Sequence, residues 1–166
     1  LAIVDEELAA ISAAMAKLAK QHRDTPMIGR SNLQQAIPVT FGYKMAGLLS
    51  AIERHRERLV QLKERVLVGE FAGAAGTLAS LETGALETQA GLCRELGLKQ
   101  PLIAWHTIRD NIAEVGAFLG LVGGTLGKLS MDVKLMMQTE VAEVFEPYHH
   151  GRGSSSTMPQ KRNPIA

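Results

Sequence analysis

Apolar residues recur at intervals of three and four through four long stretches of the sequence, and glycine or proline interrupts the pattern between them. This spacing places the apolar side chains of each stretch on one face of an α-helix. It predicts helices near 1–22, 40–68, 82–96 and 107–140, with no sheet. Because each apolar face must be covered, the stretches predict an all-α fold in which long helices pack as a bundle.

The fourth stretch restricts the packing most, because glycines lie in its interior. Gly116, Gly120 and Gly124 recur every four residues, and each costs about 1 kcal/mol relative to alanine in a helix. A helix tolerates that cost where another helix packs very closely, so we expect this helix in a multi-helix core, between subunits. The uncharged run at 115–127 is too short to span a bilayer and indicates a buried bundle helix.

Composition and charge narrow the class of protein. The 166 residues carry a net charge of +1 with 21% charged residues, so no broad field attracts nucleic acid or an anionic membrane. The single cysteine, Cys93, excludes an internal disulfide and is consistent with a reducing cytoplasm. It lies among leucines and is predicted to be a buried structural thiol. The first stretch, 1–20, is amphipathic and acidic and does not have the pattern of a signal peptide.

The segment 149–164 cannot continue the helices. Two glycines and three consecutive serines give it high backbone freedom, and it carries the cations Arg152, Lys161 and Arg162. Asn163-Pro164 has the residue types of a helix start, with Asn163 as N-cap. Hydroxyls, positive charge and a helix N-terminus suit an anionic guest, so a small polycarboxylate is the expected ligand.

Two earlier segments also carry groups that can bind a ligand. Ser31, Asn32 and Gln34 can each hydrogen-bond a carboxylate, although an ordinary solvent loop explains them as well. In the segment 73–77, Thr77 stands beside two glycines that let backbone amides approach a ligand closely. A turn between helices has the same composition, so this second signal is weak alone.

Histidines are the other candidate acid–base groups. His106 can also be explained by a capping role or by packing against Trp105, ahead of a predicted capping box at 107–110, and this structural explanation is the favoured one. His149 and His150 open the C-terminal loop. His55 lies in a charged block of the second helix and is expected on its solvated face.

The C-terminal loop also has a family resemblance. The signature loop of the fumarase/aspartase superfamily, usually written G-S-S-x-M-P-x-K-x-N-P, is similar to Ser155-Ser156-Thr157-Met158-Pro159-Gln160-Lys161-Arg162-Asn163-Pro164. Ser154 departs from this pattern, because the superfamily usually has glycine there. The segments 29–34 and 73–77 resemble the superfamily's G-R-T-H-x-Q and G-x-x-G-T regions. The resemblance therefore covers essentially the whole chain.

Three further segments, 35–42, 105–110 and 135–147, resemble the bacterial 3-carboxy-cis,cis-muconate cycloisomerases. This resemblance implies an all-α homotetramer whose active sites are assembled from three subunits. It also implies that no metal or organic cofactor is needed. The implied reaction is the lactonisation of a carboxymuconate, a step of protocatechuate degradation in the cytoplasm.

The resemblance implies that Ser155 is the acid–base group, with Lys161 and Asn163 as its catalytic partners. The residues expected to bind substrate are Ser31, Asn32, Gln34, Thr77, Arg152, Ser156 and Met158. The histidine of the superfamily's G-R-T-H region is replaced by Asn32, which can hold a carboxylate but cannot exchange a proton at neutral pH. His106, His149 or His150 could take the proton-transfer role, and spacing does not choose among them.

The chain starts inside a helical pattern without a methionine, so we interpret residues 1–166 as the central helical-bundle domain of a longer protein. On this interpretation the superfamily's upstream T-S-x-D region and its C-terminal domain are missing. Two other functions stay open. One is another lyase of the superfamily, of the adenylosuccinate type, which releases fumarate. The other is a non-catalytic helical assembly module, which the intact Ser155, Lys161 and Asn163 argue against.

Overall fold

The computed structural model describes residues 1–147 and 153–165. Within them the four predicted helices are confirmed as α1 (Ala2–Gln21), α2 (Phe41–Val66), α3 (Ala85–Glu95) and α4 (Asp110–Met136). A short 3-10 helix at Ala79–Leu81 precedes α3. Because α4 begins at Asp110, Thr107 does not cap it, and the predicted capping box is wrong.

The prediction that no sheet is present is wrong. Strands β1 (Pro26–Ser31) and β2 (Gln34–Thr40) pair antiparallel and connect α1 to α2. Asn32 and Leu33 form the turn between them, with φ angles of 51° and 62°. A two-residue hairpin turn of this kind requires positive φ at both positions, and glycine usually marks it in a sequence. No glycine is present at this turn, so the stretch has the sequence pattern of a loop.

Local contacts fix where α2 begins. The side chain of Thr40 accepts a hydrogen bond from the backbone N–H of Tyr43 at 3.1 Å, which is the usual N-cap arrangement. One residue into the helix, a Cβ added to Gly42 would lie 2.5 Å from the carbonyl oxygen of Ala19 in α1. The close approach of α1 and the start of α2 therefore requires glycine at position 42.

The core of the first part of the chain lies between α1 and α2, which pack along their apolar faces. The buried apolar residues of the two helices are Leu8, Met15, Met45, Leu48, Ile52, Leu59 and Leu62. Polar pairs at the edge of this core join the helices, Asp5 with Lys63 and the Ser12 hydroxyl with Glu53. The hydrogen bond from Ser12 lowers the pKa of the Glu53 carboxyl.

His55 belongs to this core, so its predicted place on the solvated face of α2 is wrong. Its side chain is buried, and its ring meets that of Phe118 in α4 edge to face, with the centroids 6.3 Å apart. Burial, together with the charges of Arg58 and Arg54, lowers the pKa of His55. The ring is therefore held in its neutral form and acts as a packing residue.

The segments that flank α3 run side by side. Val68 and Lys99 form a parallel bridge, and the N–H of Gly69 donates to the carbonyl of Lys99 at 2.8 Å. The amide of Gln89 in α3 donates to the carbonyl of Phe71 at 2.7 Å and fixes the first segment against the helix. Cys93 is 2% exposed, which confirms the predicted buried thiol.

The chain forms two compact units, 1–121 and 122–166, and α4 runs from the first into the second. A Cβ added to Gly116, Gly120 or Gly124 would meet nothing within 4 Å among the described residues. The close packing predicted for this ridge is therefore not made by the described residues 1–147 and 153–165. By length and composition α4 could also cross a membrane, although core helices of helical bundles share these properties. The prediction that this region is too short to span a bilayer considered only the uncharged run 115–127, whereas the whole helix has 27 residues.

Candidate active site

The described part of the signature loop, 153–165, is closed at its neck by backbone pairing. Ser154 and Arg162 form an antiparallel bridge, and the N–H of Asn163 donates to the carbonyl of Gly153 at 2.8 Å. Gly153 has a φ of 70°, and a Cβ there would lie 2.8 Å from the carbonyl oxygen of Asn163. Only glycine fits at position 153, so the backbone geometry of the neck depends on this residue.

Ser155 lies just inside the neck, half-buried, with two backbone N–H groups directed at its hydroxyl oxygen. Its Oγ accepts from the N–H of Met158 at 3.1 Å and from the N–H of Thr157 at 3.3 Å. Donors in this arrangement stabilise negative charge on the oxygen they face. The same two contacts occur in ordinary serine turns, and a serine that exchanges protons would also require such donors.

The cations of the loop differ in how they are used. Arg162 donates from Nη1 to the carbonyl of Pro159 at 2.8 Å and so supports the turn. The side chain of Lys161 is exposed and makes no ion pair within the described residues, which leaves its charge available to an anionic ligand. Asn163 is half-buried at the neck. No helix follows Asn163 within the described residues, so its predicted N-cap role stays a prediction.

Ser31, Asn32 and Gln34 lie at the end of the β-hairpin. Ser31 is paired directly opposite Gln34, so their side chains share one face of the two-stranded sheet. Asn32 occupies the turn between them, and all three side chains are exposed. The hairpin thus brings the three predicted carboxylate-binding groups together, in a β-turn rather than in the expected loop.

Thr77 ends a turn that packs against the segment before α4. The turn contains Gly73 and Gly76, with φ angles of 74° and 77°. A Cβ added to Gly76 would lie 3.0 Å from the Cβ of Ala104. Thr77 follows Gly76 and is exposed. Ala104, on the other side of this contact, lies two residues before His106.

His106 is held by a residue that the sequence did not single out. Its Nδ1 lies 3.1 Å from Oε1 of Glu70, and Oε2 of Glu70 accepts from the backbone N–H of Trp105 at 2.7 Å. The indole N–H of Trp105 donates to the carbonyl of Gly69 at 2.9 Å. The sequence offered capping or packing on Trp105 for His106, and the structure adds a close contact between its Nδ1 and the Glu70 carboxyl. The sequence signal that could have identified Glu70 is that it is the one charged residue in the segment 69–81.

The predicted site residues thus fall into two sets. In the unit 1–121 the structure joins the segments of Thr77 and His106 and gathers three groups at the hairpin turn. In the unit 122–166 it gathers Ser155, Ser156, Met158, Lys161 and Asn163 in one loop. Arg152, His149 and His150 lie outside the described residues and stay predictions.

Comparison with known proteins identifies the family. A family model described as lyase matches residues 2–166. The chain therefore belongs to the fumarase/aspartase superfamily of lyases, as the signature loop predicted. Its mostly helical fold is the fold of that superfamily. The superfamily's enzymes include lyases and isomerases, so lyase or isomerase chemistry is supported at the level of the family.

Particular relatives cover the chain throughout. It is 54% identical over 166 residues to trans-aconitate decarboxylase 1 of Mycosarcoma maydis, covering 100% of the chain and 34% of the relative. It is 53% identical over 166 residues to a 3-carboxy-cis,cis-muconate cycloisomerase of Pseudomonas aeruginosa, covering 100% of the chain and 36% of the relative. Among solved structures, the 3-carboxy-cis,cis-muconate lactonizing enzyme of Pseudomonas putida matches with a TM-score of 0.89 and 46% identity, covering 98% of this chain and 35% of that one. The chain thus spans about a third of the length of these relatives.

Proposed function

We propose that the whole protein is a cycloisomerase that lactonises 3-carboxy-cis,cis-muconate to a carboxymuconolactone, in the cytoplasm, as a homotetramer with shared active sites. The observation that carries this proposal is the pair of amide donors on Ser155, in a chain 53% identical to a cycloisomerase of that substrate. The polar groups of the hairpin and the loop suit a substrate with several carboxylates. The open glycine ridge of α4 supports assembly, since such ridges allow close helix packing.

The reaction needs one proton. A carboxylate oxygen of the substrate adds to a C=C bond, and the electron pair of that bond moves onto the neighbouring carboxylate as an aci-carboxylate. The carbon next to it then takes a proton, and the trianionic substrate becomes a dianionic lactone. The hydroxyl of Ser155 supplies this proton, and the amides of Thr157 and Met158 stabilise the alkoxide that remains. Solvent restores the proton afterwards.

Positive charge is needed where the aci-carboxylate forms. Lys161 supplies it from the same loop, with an ammonium group that makes no ion pair within the described residues. Asn163 adds an amide donor. Groups of this kind stabilise the transition state more than the substrate, because negative charge on the reacting carboxylate increases during the reaction.

The presence of Asn32 agrees with lactonisation rather than elimination. An elimination that releases an amine requires a group that protonates the departing nitrogen, and Asn32 cannot transfer a proton. In lactonisation the attacking carboxylate is already ionised, so no second acid is required. The adenylosuccinate-type reaction is therefore the weaker alternative. Asn32, with Ser31, Gln34 and Thr77, is left to bind carboxylates. Ser156 and Met158 of the loop complete the substrate-binding set.

A decarboxylation is the second candidate, because the chain is also 54% identical to a trans-aconitate decarboxylase. Loss of CO₂ next to a C=C bond leaves a carbanion that must be protonated, which is the same demand on Ser155. The difference lies in which bond breaks, so the products separate the two functions.

The test is to incubate the whole protein separately with 3-carboxy-cis,cis-muconate, trans-aconitate and adenylosuccinate. We expect loss of the muconate ultraviolet chromophore with no CO₂ released. CO₂ release from trans-aconitate, with muconate unchanged, would replace the cycloisomerase by a decarboxylase. Fumarate release from adenylosuccinate would instead establish an eliminating lyase. Turnover of none of the three by a correctly assembled tetramer would favour a non-catalytic assembly module.

A further inference from the structure

One oxygen of Glu70 is buried and has a single polar neighbour within the described residues. Oε1 makes no hydrogen bond of good geometry there, and the atom within reach is Nδ1 of His106 at 3.1 Å. The second oxygen, Oε2, is occupied by the N–H of Trp105 at 2.7 Å. A buried carboxylate oxygen is costly unless a donor faces it, so the proton of the imidazole belongs on Nδ1.

The backbone around His106 is fixed on both sides. Ahead of it, Trp105 is hydrogen-bonded through its backbone to Glu70 and through its indole to Gly69. Behind it, Nε of Arg109 donates to the carbonyl of His106 at 2.8 Å. The charged groups that face His106 in the described chain are therefore Glu70 and Arg109. The contact with Oε1 of Glu70 places Nδ1 on the Glu70 side of the ring.

The remaining ring nitrogen is turned to the outside. The side chain of His106 is 46% exposed, against 21% for Glu70, and Nε2 has no partner within the described residues. When both ring nitrogens carry a proton, the ring offers one N–H donor at Nε2 and a positive charge to a ligand. The charge of Glu70 is meanwhile shielded by His106 and Trp105, so it does not repel an anion.

We propose that Glu70 and His106 form a carboxylate-binding element, in which Glu70 positions the ring and Nε2–H of His106 donates to a substrate carboxylate. This inference rests on the proposed function, and it assigns His106 to binding, where the sequence left it as a possible acid–base group. Ligand carboxylates and imidazolium donors form charge-assisted hydrogen bonds, which are stronger than neutral ones. Thr77, on the turn that packs against the same segment, offers a hydroxyl nearby.

Two substitutions of His106 separate binding from support of the fold. His106→Asn places an amide N–H near the position of Nδ1, so it satisfies Glu70 but cannot reach a ligand. His106→Gln places its amide N–H near the position of Nε2, so it reaches a ligand but leaves Glu70 without its donor. The probe is citrate, a tricarboxylate, and the measurement is its dissociation constant by calorimetry on the whole protein.

We expect His106→Asn to weaken citrate binding by about tenfold or more, the scale of a lost charge-assisted hydrogen bond. His106→Gln should keep more of the affinity. Adding Glu70→Gln to His106→Asn should cause no further loss, because Glu70 acts through the ring. His22→Asn, at a half-buried histidine that contacts Thr25 and Phe41 away from this element, is the matched control and should bind as wild type does.

The opposite ranking would have His106→Asn bind citrate as wild type does and His106→Gln bind it more weakly. It would show that His106 only satisfies Glu70. Unchanged binding in both variants would also overturn the proposal. Since citrate binding requires no turnover, failure of muconate turnover with the expected ranking would reject the cycloisomerase and leave this element standing. Normal muconate turnover with the reversed ranking would reject this element alone.

Discussion

The signature loop and the β-hairpin are built alike but present their groups differently. Each is a narrow antiparallel pairing closed by a turn, with Ser154 opposite Arg162 in the loop and Ser31 opposite Gln34 in the hairpin. In the loop, the amides of the turn converge on the hydroxyl of Ser155. In the hairpin, the side chains at the turn point to solvent. On the proposed function, the loop would stabilise charge that develops during the reaction, and the hairpin would bind charge already present on the ligand.

The largest expected effect is at the centre of the loop. Ser155→Ala in the whole protein should lower kcat for 3-carboxy-cis,cis-muconate by about 10²-fold or more, the scale of a lost proton-transfer group. KM should change little, because one hydroxyl contributes a small share of the binding of a tricarboxylate. Steady-state kinetics by loss of muconate absorbance from pH 5 to 9 provides the measurement.

Ser154→Ala is the matched control for this substitution, since Ser154 is the exposed neighbour whose backbone forms the neck. It should leave kcat near the wild-type value. Near-normal turnover in Ser155→Ala, with Ser154 and Ser156 also removed, would disprove the serine mechanism. The search for the proton donor would then move to His106, His149 and His150.

An intermediate effect is expected at the exposed cation of the loop. Lys161→Met should raise KM and lower kcat, each by about tenfold, because its charge meets the substrate before and during the reaction. Lys17→Met, on the exposed side of α1, is the control and should change neither constant. An effect of Lys161→Met on KM alone would move this residue to the binding role assigned to the hairpin.

The smallest effect is expected at the hairpin turn. Asn32→Gly removes the amide without backbone strain, because glycine accepts the φ of 51° at this position. KM should rise a few-fold, on the scale of one hydrogen bond, while kcat and its pH profile stay unchanged. Asn32→Ala should show the same kinetic change plus a lower melting temperature from the strained φ. A change in the pH profile of kcat would contradict the division between loop and hairpin.

The sequence predicted the helices because apolar periodicity and Gly or Pro breaks are local signals. It missed the hairpin because Leu33 adopts a positive φ that leucine rarely takes, so no turn residue marked it. The charged neighbours of His55 indicated an exposed residue, although its own position lies on the buried face of α2. In each case a tertiary contact decided what the local pattern did not show.

The candidate site was predicted to a similar degree and for a similar reason. Ser155 and Lys161 lie within a contiguous motif, so resemblance to the superfamily was sufficient to propose them as site residues. Glu70 could not be assigned, because its partners Trp105 and His106 lie about 35 positions further along the chain. Such a pairing depends on the bridge between Val68 and Lys99, which no local pattern encodes.

Cys93 gives the protein a natural reporter of local opening. The sulfur lies directly beneath Gly69, where even a methyl group would collide with it, and Gly69 holds the indole of Trp105. Because Cys93 is 2% exposed, a thiol reagent can reach the sulfur only when the structure around it opens. The rate of thiol labelling therefore reports local opening next to the Glu70 region, without any introduced probe.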